Sequence, residues 1–291
     1  MKGYKAFNKG LICKGKQYKE NETFEEERAV PCHRGMHFCK NPFDVLNFYD
    51  LVDENGEFSD FARVEAPDDA EVKTDDNIKY CTTKLKIGAK FSFAGFVKTC
   101  VDFVIEKTQS EKPDSGNSAQ IGSSGDSAKI GSSGYSAQIG SSGDSAKIGS
   151  SGNSAKIGSS GDSAKIGSSG DSAKIGSSGY SAQIGSSGYS AQIGSSGNSA
   201  KIGSSGDSAQ IGSSGDSAKI KSTGYDSIIC CAGDDSCVSA KKGSWITLAE
   251  WKYSYEKDRY VPKCVKTEYV DGERIKEDTM YKLIDGEFTE V

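Results

Sequence analysis

The chain has 291 residues, with 36 Lys and Arg against 41 Asp and Glu, a formal net charge of −5. Apolar residues make up only 35% and glycine alone fills 35 positions, which is not the composition of two ordinary domains, and residues 116–223 cannot fold around a bulky globular core. No run approaches the roughly eighteen apolar residues of a membrane span, the start MKGYKAFNKG lacks the apolar stretch of a secretory signal, and no region has the basic excess of an electrostatic nucleic-acid binder.

Residues 1–115 carry the aromatic and aliphatic content of a small α+β domain. Strand-like stretches lie at Tyr4–Phe7, Gly35–Cys39, Phe61–Val64 and Lys84–Ile87. Asn41-Pro42-Phe43-Asp44 is a helix start, with Asn as cap and Pro in the first turn, and Leu46, Phe48, Tyr49 and Leu51 supply an apolar side. A second helix is expected over Phe93–Glu106, leading into the next region. Cys32, His33, His37 and Cys39 are the one metal-like grouping. The adjacent Cys32-His33 pair suits a single tetrahedral ion poorly, and no Cys-x-x-Cys supports it, so no metal is assigned. The nine cysteines are an odd number, and free thiols are expected rather than a disulfide framework.

From Gly116 to Thr223 a nonapeptide, Gly-(Asp/Asn/Tyr)-Ser-Ala-(Lys/Gln)-Ile-Gly-Ser-Ser, recurs without insertion. A flexible linker has no use for Ile at every ninth residue with Ala two before it. In an extended segment that spacing puts both on one face. The region reads as a β-solenoid over 116–241 with a thin Ala/Ile interior, its Gly-Ser-Ser-Gly segments turning the chain through glycine backbone angles. Nine residues cannot close a coil alone. Repeats counted as even carry Lys129, Lys147, Lys165, Lys201 and Lys219, with Gln183 the exception. Odd ones carry Gln120, Gln138, Gln192 and Gln210, with Lys156 and Lys174 the exceptions. That split predicts two repeats per coil, a Lys-rich row on one sheet, a Gln-rich row on the other, and six coils about 29 Å long. Asp in the second position is expected to relieve repulsion within the Lys row. The repeat lacks the acidic sixth residue of calcium-binding nonapeptides, so no calcium is assigned.

A solenoid needs caps at both ends. After Thr223 the repeat decays through Ile228, Ile229, Cys230, Cys231 and Cys237, with the cysteines expected as buried small hydrophobes. Residues 242–291 read as a β-hairpin cap, with strands at Cys264–Val270 and Arg274–Ile284 and hairpin signals at Asp271-Gly272 and Asp285-Gly286. The expected fold class is thus mainly β: a solenoid between a small N-terminal α+β domain and a C-terminal β-rich cap.

Gly3-Tyr4-Lys5-Ala6-Phe7, Cys13-Lys14-Gly15-Lys16-Gln17-Tyr18, Gly35-Met36-His37-Phe38-Cys39 and Pro42-Phe43-Asp44-Val45-Leu46 resemble an uncharacterised domain of bacteriophage and prophage proteins. Similar proteins join it to Gly/Ser/Ala repeats and a Gly-Ser-Trp-Ile-Thr-Leu-Ala-Glu-Trp ending, as found at Gly243–Trp251. The resemblance implies a phage-encoded accessory protein acting in the cytoplasm of the bacterial host. It carries no catalytic residue and no cofactor. The leading expectation is a non-enzymatic interaction protein, a rigid solenoid platform inhibiting a host antiviral-defence protein or ribonucleoprotein complex, as an anti-CRISPR does. Direct nucleic-acid or membrane binding is not expected. The expected binding residues are Lys129, Lys147, Lys165, Lys201 and Lys219, then Tyr135, Tyr180 and Tyr189, because aromatic groups on polar surfaces anchor interfaces. Two rivals stand beside this reading. Gly35–Phe38 before a Pro-started helix also resembles ADP-ribosyltransferase-like folds, which would put Tyr49 near a nicotinamide pocket. The other rival is a virion or surface structural protein.

Overall fold

In a computed structural model, residues 1–53, 55–108 and 116–291 are described. The N-terminal region forms one antiparallel sheet in the order β4 (Thr23–Glu25), β9 (Lys84–Lys90), β6 (Asp60–Glu65), β1 (Lys2–Phe7), β5 (Met36–Cys39), β8 (Lys79–Thr82) and β7 (Val72–Thr74), with a separate ribbon of β2 (Ile12–Cys13) and β3 (Lys16–Gln17). The four expected strands are present. β2, β3, β4, β7 and β8 are strands beyond those expected. Asn41 does cap a helical segment, its side chain accepting from the Phe43 N–H at 3.0 Å, but the segment is a 3-10 turn, Pro42–Asn47. It ends before Phe48, which is exposed rather than part of an apolar helix side.

Helix α1 (Phe93–Thr108) carries two apolar ridges at i, i+4, i+8 spacing. Phe96, Cys100 and Val104 pack on the N-terminal sheet with Phe43, Leu46 and Phe61. Phe93, Val97 and Val101 point the other way, onto the repeat region. Lys98 and Asp102 pair on the solvent side at 2.8 Å. The helix is therefore the layer between two bodies. The link at 109–115, and with it the expected domain boundary at 115, lies outside the described residues.

Each of the twelve repeats makes one strand, β10 (Gln120–Ser123) through β21 (Lys219–Ser222), and strands pair in parallel with those two repeats away. Gln120 faces Gln138, Lys129 faces Lys147, and so on, so eighteen residues close one coil. Odd repeats build one sheet and even repeats the other. β22 (Ile228–Cys231) and β23 (Cys237–Ser239) add a further coil. The interior is the stacked Ala and Ile column, as expected, joined by the first Ser of each Ser-Ser pair. From Ser141 to Ser213 in this column, Ser150, Ser168 and Ser186 among them, the hydroxyls are buried with no hydrogen-bond partner.

The turns differ from expectation in which residue bends the backbone. The left-handed conformation is taken by the serine after the variable residue, as at Ser127 (φ 56°) and Ser190 (φ 52°), and not by the repeat glycines. The turn glycines serve close stacking instead. A Cβ on Gly143 would overlap the Gly125 carbonyl one coil below, and the same holds for Gly161 over Gly143.

At the far end, β24 (Trp245–Ser254) extends the odd sheet in parallel and β25 (Arg259–Tyr269) closes it antiparallel. β26 (Tyr281–Ile284) and β27 (Glu287–Glu290) close the even sheet. Asp285 and Gly286, at φ 50° and 76°, make the two-residue hairpin turn expected there. Asp271-Gly272 does not: the Asp271 carboxylate accepts from the Glu273 and Arg274 N–H groups, and the chain crosses to the other sheet. The closing strands carry Lys263–Glu250, Lys263–Asp285 and Lys266–Glu287 pairs at 2.6–2.7 Å, charges that resist further strand addition. The N-terminal domain reaches the last coil, where Val52 and Phe58 pack with Cys237 and Met280. It lies along the side of the solenoid, with α1 over β11, β13, β15 and β17.

Candidate interaction surface

The outer face of each sheet is built by the first and third residues of the strands, Lys or Gln and then Gly, because Ile and Ser between and after them point inward. Each sheet therefore presents a ladder of long polar side chains beside a column of glycines. The two faces meet different fates.

On the even sheet the glycine column is filled. Val101 sits over Gly149 and Gly167, Val97 over Gly185, and Phe93 with Phe58 over Gly203. A Cβ on Gly185 would stand 2.9 Å from Val97, and one on Gly203 would stand 2.6 Å from the Phe93 ring. The fit has a simple basis: the eight helical steps from Phe93 to Val101 rise about 12 Å, near the roughly 14 Å of three coil steps, so three ridge residues span four glycines.

The polar ladder beside it is equally engaged. Lys147 pairs with Asp44, both side chains largely buried, and Lys201 pairs with Asp50. Lys165 Nζ donates to Asn47 Oδ1 at 2.6 Å, and Lys219 Nζ donates to the Asp53 carbonyl at 3.4 Å. Burial, aided by the neighbouring Lys147 charge, lowers the Lys165 pKa to about 8. Gln183, the exception in the row, meets both a donor and an acceptor. Its Nε2 donates to the Leu46 carbonyl and its Oε1 accepts from the Leu51 N–H, each at 3.0 Å. A lysine could only donate there. Lys221 replaces the usual glycine and reaches Glu57 at 2.9 Å. The row expected to meet a partner thus meets the chain's own N-terminal domain at Lys147, Lys165, Lys201 and Lys219, and Lys129 in the first coil is exposed.

On the odd sheet no described residue covers the same arrangement. Gln120, Gln138, Lys156, Lys174, Gln192 and Gln210 are all exposed. A Cβ added at Gly122, Gly140, Gly158, Gly194 or Gly212 would meet no atom within 4 Å. The register carries this ladder past the repeat, with Ile228 beside Gln210 and Trp245 beside Ile228. Ile228 is 58% exposed and Trp245 50%, large apolar groups at the end of a polar row. Cys230 follows in the glycine column and is exposed, whereas Cys231 and Cys237 are buried as expected.

The variable turn residues stack in two columns, one along each edge. From Asp126 on, where Asp or Asn stands, its carboxylate or amide oxygen accepts from the backbone N–H of the residue one coil on, as Asp144 does for Asp162 at 2.8 Å and Asp171 for Tyr189 at 2.9 Å. Serving this ladder, rather than neutralising the lysine row, is what the structure shows these residues doing. Tyrosine cannot continue it, and the N–H groups of Asn153, Asn198 and Asp207 receive no side-chain acceptor from the tyrosines below them. Tyr135 and Tyr189 share one column with Tyr225, immediately before the odd strands, and Tyr180 lies in the other. All four are more than half exposed.

In the N-terminal domain His37 Nε2 accepts from the Cys32 N–H at 3.2 Å, Cys39 is buried, and Tyr49 donates to Cys13 Sγ at 3.0 Å. Among the described residues no group of three or more His, Cys, Asp and Glu side chains is placed to hold a metal ion, and no helix is long and apolar enough to cross a membrane.

Residues 1–99 match the model of a family described as a domain of unknown function (DUF7666). No curated protein matches the chain, and no solved structure does.

Proposed function

We propose that the chain is a non-enzymatic interaction protein whose uncovered odd sheet receives an amphipathic helix of a partner protein. The observation that carries this reading is the open glycine column from Gly122 to Gly212, the twin of a column that holds α1 four coils deep. Glycine weakens a strand and commonly marks a close approach by another chain. The even sheet gives packing reasons for its glycines, and among the described residues the odd sheet has none.

The intramolecular twin also specifies the partner's chemistry. Six glycines over five coil steps span about 24 Å, the length of about 16 helical residues, which is the length of α1. An apolar ridge repeating every fourth residue fits the column, and carboxylates set beside it would meet Lys156 and Lys174. Trp245, Ile228 and Tyr225 at one end, with Tyr189 and Tyr135 along the edge, supply the anchoring aromatic and aliphatic surface. The phage resemblance of the N-terminal motifs points to a host antiviral-defence protein or ribonucleoprotein as the target, inhibited by occupation of one of its helices in the host cytoplasm.

Gly158→Val and Gly194→Val place side chains in open space and suit a strand better than glycine, so the double variant keeps its fold. Host proteins retained by the wild-type chain are expected to be lost by this variant. Equal retention of the same proteins by both excludes the odd face as the docking surface.

A further inference from the structure

The N-terminal domain contains a cleft of about 640 Å³ that the interaction reading does not use. β1 contributes Lys5, the β2–β3 ribbon Cys13, Lys14 and Lys16, β5 His37, the segment after the 3-10 turn Phe48 and Tyr49, and β8 Lys79. Lys5 is 5% exposed, and its ammonium donates to the His37 carbonyl at 3.0 Å and to Cys13 Sγ at 3.4 Å. An ammonium has three N–H donors, so one is left for a ligand. No carboxylate among the described residues pairs with it.

The charge around this group is one-sided. Glu26 is the single carboxylate among the described lining residues, and Lys16 holds it at 2.6 Å. Lys14 and Lys79 have no carboxylate partner among the described residues, and Lys79 Nζ lies 4.6 Å from the centre of the Phe48 ring. Burial first, and then Lys79, Lys5 and Lys14 together, lowers the His37 pKa to about 4. At neutral pH His37 is therefore uncharged, and because Nε2 accepts from Cys32, its proton is on Nδ1. Burial lowers the Lys5 pKa, and a bound anion would hold that group in its charged form. Lys5 and the ammonium groups of Lys14 and Lys79 line one cleft walled by Tyr18, Tyr49 and Phe48, an arrangement complementary to a compact anion carrying a planar group.

We infer that this cleft binds a phosphate-bearing small molecule, with Lys5, Lys14 and Lys79 holding the phosphoryl oxygens and the aromatic wall facing the remainder. Cys13, at the floor between Lys5 and Tyr49, reports occupancy without being asked to react with the ligand.

The test uses the full chain at constant ionic strength, titrated by calorimetry with inorganic pyrophosphate, ADP and adenosine in separate arms. The rate of Cys13 alkylation by iodoacetamide, read by mass spectrometry, is followed in parallel. Saturable binding of pyrophosphate or ADP with slowed Cys13 alkylation is expected. ADP binding more tightly than pyrophosphate assigns a nucleotide, and equal affinity assigns the anion alone. Lys14→Glu and Lys79→Glu, at positions facing solvent or the cleft, should each weaken binding about tenfold while leaving the thermal transition in place. Failure of both phosphate compounds to bind, binding by adenosine alone, or unchanged affinity in both variants overturns the inference.

Discussion

The two sheets of the solenoid are written in nearly the same nine residues, yet one is closed and the other open. On the even sheet, glycine makes room for Phe93, Val97 and Val101, and the ladder beside it is matched group by group, acid to Lys147 and Lys201, amide oxygen to Lys165, a donor and an acceptor to Gln183. On the odd sheet the same glycines and the same kind of ladder face outward. The difference teaches that the repeat encodes a docking surface as well as a coil. The N-terminal domain shows what such a surface takes.

The comparison breaks most sharply at the buried ion pair. Asp44→Ala leaves Lys147 largely buried without its carboxylate, and a loss of about 3 kcal/mol is expected in chemical denaturation. Lys156→Ala on the open sheet should change stability by less than about 0.5 kcal/mol. Next comes the glycine column. Gly203→Val drives side-chain atoms into the Phe93 and Phe58 rings, an overpacking cost of about 1–3 kcal/mol, whereas Gly194→Val should be neutral or slightly stabilising. Equal effects at the two positions would erase the distinction between the sheets.

A pH experiment sharpens the same contrast. The Lys165 pKa is about 8 in the folded chain and near 10.4 unfolded. Between these values the unfolded chain binds more protons at this site than the folded one, so stability attributable to Lys165 rises with pH across that window. Below it, the buried charge holds stability down. Lys165→Gln should be more stable than wild type near pH 7 and lack this rise, while Lys174→Gln should leave the profile unchanged. Thermal melts of the three proteins from pH 7 to 10.5 decide it. The smallest expected effect concerns the turn columns, which serve both sheets alike. Tyr180→Asp restores an acceptor for the Asn198 N–H and should stabilise by about 0.5–1 kcal/mol, seen as a higher midpoint in thermal melts.

Much of the solenoid was legible because stacking imposes its period on the sequence. Ile every ninth residue marked the interior, and the Lys/Gln alternation marked which repeats share a sheet. The same alternation misled about its purpose, since a row of lysines reads as a surface for others until the acids at Asp44 and Asp50 are placed against it. The angle-bearing residue was hidden as well. Glycine could have taken the left-handed conformation, but it is spent where a Cβ would strike the next coil, and serine takes the bend. The end anchors Ile228 and Trp245 could have been found by extending the eighteen-residue register past Thr223; the one-residue slip before Trp245 concealed the second. The N-terminal cleft had no comparable signal, because its lining comes from β1, β5 and β8 of the sheet and from the separate β2–β3 ribbon, which only the folded domain brings together.

Lysine acetylation footprinting of the intact free chain tests the central claim most directly. Lys156 and Lys174 are expected to react at least about tenfold faster than Lys147 and Lys165, since one pair projects into solvent and the other lies beneath the N-terminal domain. Equal reactivity of all four would mean that neither sheet is covered by the N-terminal domain, and the account of one closed and one open face would fall.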